Sequence, residues 1–227
     1  MSPRTIHLRR PATLSVQAGV FVPTGAPGIL DEIDRCWNNL CESNPAYFDG
    51  RLYHVLGVHR NGHGGCVLHV IDCAYRFLAV QNDGRELGVR GLGIKGVTER
   101  DGQYLLGRRS MNVSAYRGLW EFAPAGGVEP GREPAETIRH EMLEETGLRC
   151  EGEPVPIAVL FDPVLKCWEL VFRVSACGDD LSTKSGEYSQ LEWRSGEALP
   201  AELSPVARQI AELLGEIGSP TGRERPR

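Results

Sequence analysis

Apolar and polar positions follow two different periods along this chain of 227 residues. Short runs rich in β-branched and aromatic residues, bounded by glycine and other turn formers, predict strands over 12–22, 52–59 and 66–73, the last two flanking a glycine turn at 62–65. Leu30, Ile33, Trp37 and Leu40 recur at helical spacing and predict a helix over 30–41, ended by Asn44 and Pro45. The stretch 75–81 reads as a further strand or a short helix. Two strands follow over 91–101 and 103–109, joined at Asp101-Gly102. Buried strands are expected over 156–161 and 167–174, and another over 187–193. A terminal helix is expected over 205–217, with Ser204 as its cap and Pro205 at its first position. The polar end, 219–227, is expected to fray.

The run at 126–148, GGVEPGREPAETIRHEMLEETGL, stands apart. Pro134 suits a first helical turn, and Glu133 and Glu136 place negative charge at the positive end of the helix dipole. Ala135, Ile138 and Met142 form an apolar strip for packing on a sheet, and Gly147 supplies a stop. Beside that strip lie Glu141, Glu144 and Glu145, spaced by three and four and so sharing one face. Three acids this close repel one another unless a cation lies between them. Mg2+ prefers oxygen ligands and takes one or two carboxylates together with substrate phosphates. A lone ExxEE is more often a solvated acidic face. A glycine loop directly ahead of the helix shifts the balance toward metal-assisted chemistry on a phosphate ester or anhydride.

Composition narrows the field. Hydrophobic residues make up 41% of the chain, enough for a sizeable core, and the net charge is −5. No basic run precedes the tail, which argues against nonspecific nucleic-acid binding. A nucleotide needs just a few local arginines. The seven cysteines, Cys36, Cys41, Cys66, Cys73, Cys150, Cys167 and Cys177, are odd in number and contain no CxxC pair. They read as free thiols, and their spacing disfavours a zinc site. No leader pattern opens the chain, and no apolar run reaches the ~18 to 20 residues a membrane helix needs. A soluble, cytoplasmic protein without a membrane partner is expected.

The run at 126–148 resembles the Nudix box, G-x5-E-x7-R-E-U-x-E-E-x-G-U, where U is a bulky aliphatic residue. Gly126, Glu141, Met142, Glu144, Glu145, Gly147 and Leu148 fall in register. Two positions depart: Arg132 stands where the family has a Glu, and His140 where it has an Arg. In the family these two side chains brace the loop against the helix. Here the brace is lost or rebuilt with Glu133 or Arg139. The resemblance covers roughly residues 90 to 200, including the order of hairpin, aromatic segment, Pro-Gly loop and acidic helix.

That resemblance implies an α+β chain: a Nudix fold, with a mixed sheet sandwiched between helices, carrying an N-terminal α/β extension. The expected division is 1–88 for the extension, 89–218 for the Nudix domain and 219–227 for a flexible tail. It implies Mg2+, with Mn2+ as an alternative, held by Glu141, Glu144, Glu145 and the carbonyl of Gly126. Glu187 matches the usual place of a catalytic base on a later loop. At least one of Arg108 and Arg109, at the end of a strand beside the acidic helix, is expected to clamp the diphosphate, the alternative being a surface pair. Tyr116, Trp120 and Phe122, just ahead of the glycine loop, offer rings to stack on a base or sugar, with core packing expected for at least two of the three. The expected reaction is Mg-dependent hydrolysis of a nucleoside diphosphate derivative. Short strings at 48–50, 87–89 and 107–110 resemble the group that cleaves UDP-glucose to UMP and sugar 1-phosphate. Pro163, sixteen positions after Gly147, is a competing clue toward ADP-ribose, and ADP-ribose or dinucleotide pyrophosphatase is the alternative to the UDP-sugar reading. A non-catalytic, ligand-sensing Nudix module is the alternative outside enzymes. Family members are often dimers, so a homodimer is compatible with the resemblance.

Overall fold

The computed structural model describes residues 5–44 and 47–218, so Pro45 and the tail at 219–227 lie outside the described residues. The front section runs β1 (Thr5–His7), β2 (Thr13–Phe21), α1 (Ile29–Ser43), β3 (Arg51–Arg60), β4 (Cys66–Ala74) and α2 (Tyr75–Asn82). The stretch left open as strand or helix is therefore a helix. Strands β2, β4 and β3 form a three-stranded sheet, with β2 parallel and β3 antiparallel to the central β4.

The remainder runs β5 (Leu92–Arg100), β6 (Gln103–Arg109), β7 (Trp120–Phe122), β8 (Ala125–Gly127), α3 (Pro134–Glu141), β9 (Arg149–Asp162), β10 (Cys167–Cys177), β11 (Tyr188–Ser195) and α4 (Pro205–Gly218). An eight-stranded mixed sheet has the order β1-β9-β10-β5-β6-β11, with β8 on β5 and β7 on β6. Two helices sandwich it. On one face Ile138 of α3, followed by Met142, joins a core with Leu92, Ile94, Leu170 and Phe172. On the other, Val206, Ala207, Ile210 and Leu213 of α4 pack on Val97, Leu106, Val171, Trp120 and Phe122. Ser204 caps α4 as expected, its Oγ accepting the Ala207 N–H at 3.2 Å.

The β5–β6 hairpin is forked. Its strands pair at Glu99↔Tyr104 and Arg100↔Gln103, beside the Asp101-Gly102 turn. Farther along, each arm takes a different partner: β8 pairs with β5 from Gly93 to Lys95, and β7 pairs with β6 from Leu106 to Arg108. The fork holds open a gap in the sheet.

Two segments differ from the sequence pattern. β9 begins at Arg149 rather than near 156, because its polar first part, Arg149 to Glu153, finds its partners along the end of β10 rather than in a core. The helix of the acidic run is also not uniformly α-helical: after Glu141 it widens into a π-helical turn, Met142–Thr146. The Thr146 hydroxyl donates to the Met142 carbonyl at 2.5 Å, taking an acceptor that an α-turn gives to the backbone. Gly147 ends the turn at φ 77°, a left-handed conformation that suits glycine.

The front section is welded to the rest. Tyr53, Val55, Leu68 and Val70 share one core with Leu92 and Ile94. Val55 N–H donates to the Arg90 carbonyl at 2.7 Å, and the Tyr53 hydroxyl accepts the Gly131 N–H at 3.1 Å. β1 adds an edge to the large sheet through β9. Close packing has consequences for single atoms. A Cβ on Gly107 falls 2.4 Å from the buried Tyr188 ring. Gly107→Ala is therefore expected to lower stability by about 1–3 kcal/mol, read by denaturant unfolding, through overpacking.

Candidate active site

The fork, the acidic helix and the front section enclose a cleft of about 1140 Å³. α3 and its π turn bring Glu141, Glu144 and Glu145 to one side of it. The glycine loop bends over them. Ala125 N–H donates to Glu145 Oε2 at 2.9 Å, and a Cβ on Gly126 would lie 2.5 Å from Glu141 Oε1. Glycine at 126 thus lets main chain lie directly against a carboxylate.

The acids differ in setting. Glu145 is 3% exposed. Burial, with Glu141 and Glu187 adding repulsion, raises it to about 8 against the pull of the Ala125 N–H and Arg109. Burial, then Glu144 and Glu187, raise Glu141 to about 7. Glu144 stands at the exposed rim, 3.3 Å from His140 Nδ1. Donor atoms of His140, Glu141 and Glu144 all lie within 4.8 Å of one another. Buried, mutually repelling carboxylates beside a close-lying main chain fit a divalent cation, whose charge would offset both costs.

The sign of the pH effect follows. Glu141 and Glu145 rise from an ordinary 4.5 to about 7 and about 8, so folding favours their protonated forms. That contribution to stability is complete below 4.5 and is lost as pH rises through about 7 to 8. A cation bound at these acids would compete with the same protons. Mn2+ affinity is expected to be about tenfold or more tighter at pH 8 than at pH 6, with protons released on binding. Titration calorimetry in two buffers of different ionisation enthalpy measures both, and equal affinity at the two pH values would contradict it.

Opposite the helix, Arg109 Nη1 lies 2.8 Å from Glu187 Oε2 on the loop before β11. Arg109 Nε lies 3.8 Å from Glu121 Oε2, and Lys95 Nζ donates to that same oxygen at 3.2 Å. Burial acts to lower Lys95, but Glu121 and Glu169 outweigh it and hold the ammonium raised. Glu169, on β10, is raised to about 8 by burial against the pull of Lys95. The loop from Ser110 to Leu119 closes another wall. It is anchored where the Tyr116 hydroxyl donates to Asp162 Oδ2 at 2.6 Å.

Of the residues singled out from sequence, the cleft brings together Gly126, Glu141, Glu144, Glu145, Arg109, Glu187 and Tyr116. It does not include Arg108, Trp120 or Phe122. Arg108 points away, its Nε donating to the Gly118 carbonyl at 3.0 Å and its Nη2 lying 3.7 Å from Glu202. Trp120 and Phe122 pack under α4. The cause is the period of a strand: side chains alternate, so Glu121 between the two aromatics, and Arg109 beside Arg108, take the cleft side. Tyr116 serves as an anchor through its hydroxyl. Arg132 pairs with Glu129 at 3.4 Å, His140 with Glu144, and Arg139 with Glu153, so neither Glu133 nor Arg139 rebuilds the brace. Lys95, Glu121 and Glu169 escaped the sequence reading. Their signal is a single charge inside an otherwise apolar strand, as in LGIKGV and CWELVF.

The same features place the chain among known proteins. The NUDIX domain model matches residues 89–214. An RNA pyrophosphohydrolase from Bartonella bacilliformis is 42% identical over 64 residues, 26% of this chain and 36% of that protein, so the chain matches about a third of that relative's length. An RNA pyrophosphohydrolase from Roseobacter denitrificans is 28% identical over 45% of this chain and 74% of its own. A nucleoside triphosphatase NudI from an Enterobacter species is 29% identical over 45% of this chain and 80% of its own. Among solved structures, a MutT NUDIX hydrolase from Burkholderia pseudomallei aligns with 54% of this chain and 96% of its own, at 24% identity and a TM-score of 0.47. NUDIX hydrolases generally use divalent metal cations. More than half of this chain lies within the matched domain, and the chain belongs to the NUDIX domain family.

Proposed function

We propose that this chain hydrolyses a diphosphate linkage in a nucleoside diphosphate derivative, with Mg2+ or Mn2+ bound at Glu141, Glu144, Glu145 and the Gly126 main chain. The observation that carries the reading is one cleft holding three acids on a helix, Glu145 buried among them, a glycine loop against them, and an Arg109–Glu187 pair across from them. When bound, the cation neutralises phosphate oxygens and lowers the barrier to attack at phosphorus.

The chain's own groups do the rest. Arg109 turns its guanidinium to a phosphate oxygen, a planar fork suited to that geometry. Glu187 accepts the proton of the attacking water as the new P–O bond forms and the bridging P–O bond breaks. Two phosphate monoesters leave. Glu145, held by the Ala125 N–H, keeps the helix acids aimed at the glycine loop.

For the substrate, we favour a nucleotide sugar such as UDP-glucose. A cleft of about 1140 Å³ with one wall from the front section has room for groups on both sides of a diphosphate. ADP-ribose is the next choice. The names of the relatives favour a second reading, a nucleoside triphosphate or a pyrophosphate carried by an RNA.

The test is a panel of UDP-glucose, ADP-ribose, a nucleoside triphosphate and 5′-triphosphorylated RNA, with Mg2+ or Mn2+, read by product chromatography. UMP with glucose 1-phosphate selects the first reading. Cleavage of no member rejects hydrolysis and leaves a ligand-sensing module.

A further inference from the structure

The floor of the cleft carries polar groups that the chemistry at the acidic helix leaves unused. Glu169 and Glu121 are 5% and 1% exposed, and both line the cleft. Glu169 Oε2 and Glu121 Oε1 are buried without a hydrogen-bond partner among the described residues. Buried acceptors in this state are uncommon and call for a partner. The sheet makes room for one of them: a Cβ at Gly93 would lie 2.4 Å from Glu169 Oε2.

A second metal ion is not what this floor lacks. The Lys95 ammonium already lies against Glu121 at 3.2 Å and feels the charge of Glu169. Nor does the floor suit phosphate, which two carboxyl groups would oppose and which Arg109 and a helix-bound cation would take up. The unfilled need is for a neutral group carrying both donors and acceptors: a donor for Glu121, either for Glu169, whose proton burial favours, and acceptors for the spare N–H groups of Lys95. The adjoining wall is aromatic and apolar, with Tyr47, Tyr75, Leu78 and Leu165. Sugar hydroxyls and the amide-like edge of a nucleobase both present such donors and acceptors.

We propose that Glu169, together with Glu121 and Lys95, binds the uncharged end of the substrate, whose hydroxyl or ring donors and acceptors pair with Glu169 Oε2 and Glu121 Oε1. This rests on the cleft being a site for a nucleoside diphosphate derivative. It makes Glu169 a determinant of specificity rather than of the reaction itself.

Titration calorimetry on the full chain with Mg2+, using UMP, AMP and glucose 1-phosphate as probes, tests it without turnover. Glu169→Met removes the acceptor at similar volume and is expected to weaken at least one probe by about tenfold. Glu169→Gln keeps one acceptor and is expected to weaken the same probe by about threefold. It supplies the answer if the Met variant does not fold. Loss confined to a nucleotide places a base on the floor, and loss confined to glucose 1-phosphate places a sugar there. Unfolding temperature is expected to hold or rise in both variants, since the unpaired acid costs stability in the free protein. Binding of every probe within twofold of wild type overturns the proposal, with or without a fall in unfolding temperature, and so does a wild type that binds none of them. A chain that binds the probes through Glu169 yet cleaves no member of the substrate panel refutes hydrolysis and keeps the floor.

Discussion

Replacing Glu145 by Gln is expected to lower turnover by about a thousandfold while the fold persists. The side chain is buried, and its Oε2 accepts the Ala125 N–H at 2.9 Å. A glutamine has the same shape and can keep that hydrogen bond through its amide oxygen. It cannot supply negative charge to a cation. It also removes a carboxyl that burial raises to about 8 and whose ionisation opposes folding. Unfolding temperature in chelator at pH 8 should therefore hold or rise in Glu145→Gln, even as steady-state turnover collapses. That opposite movement separates chemistry from folding. A variant that keeps more than about a tenth of wild-type turnover would remove Glu145 from the metal ligands.

The second large effect is expected at Arg109. Arg109→Met should lower kcat/KM by about a hundredfold, equivalent to ~2.7 kcal/mol of transition-state stabilisation. Arg108→Met should stay within about threefold, because that guanidinium reaches Gly118 and Glu202 on the far side. Arg109 faces Glu121 and Glu187, and these acids with Tyr188 outweigh the burial that would otherwise lower it. It is therefore fully charged where a phosphate would arrive. Losing it also removes the pull that Arg109 exerts on Glu145, so the rate profile should move to higher pH. Equal losses in the two variants, read from initial rates across pH, would show that neither arginine acts through contact with substrate.

Strand alternation explains much of what could and could not be read from the chain. The acidic helix was legible because spacing by three and four is visible in sequence and because Pro134 and Gly147 mark its ends. Its π turn was not, since that depends on where the Thr146 hydroxyl points. The sandwich of helices around a mixed sheet came from the resemblance of the acidic run and its surroundings to the Nudix box. The fork in the β5–β6 hairpin did not, because the residues of β7 and β8 that prise it open carry no pairing label. Trp120 and Phe122 drew attention as aromatics next to a glycine loop. Glu121 between them is the residue the cleft receives. Lone charges in apolar strands were the missed signal. Lys95 and Glu169 look unremarkable one at a time and gain meaning once β10 lies beside β5 in register.

The shared core of front section and NUDIX domain bears on how such a chain can change over generations. Tyr53, Val55, Leu68 and Val70 pack with Leu92 and Ile94 beneath the same cleft whose wall the front section supplies. A recombination event near residue 88 would therefore exchange more than a substrate-facing wall. It would also leave a mismatched interior on both sides of the crossover. What the cleft accepts is more simply altered by point changes on the wall, such as at Tyr47 or Tyr75, because exchanging the whole segment must first solve a packing problem. The shape of the cleft and the stability of the chain thus depend on one shared interior.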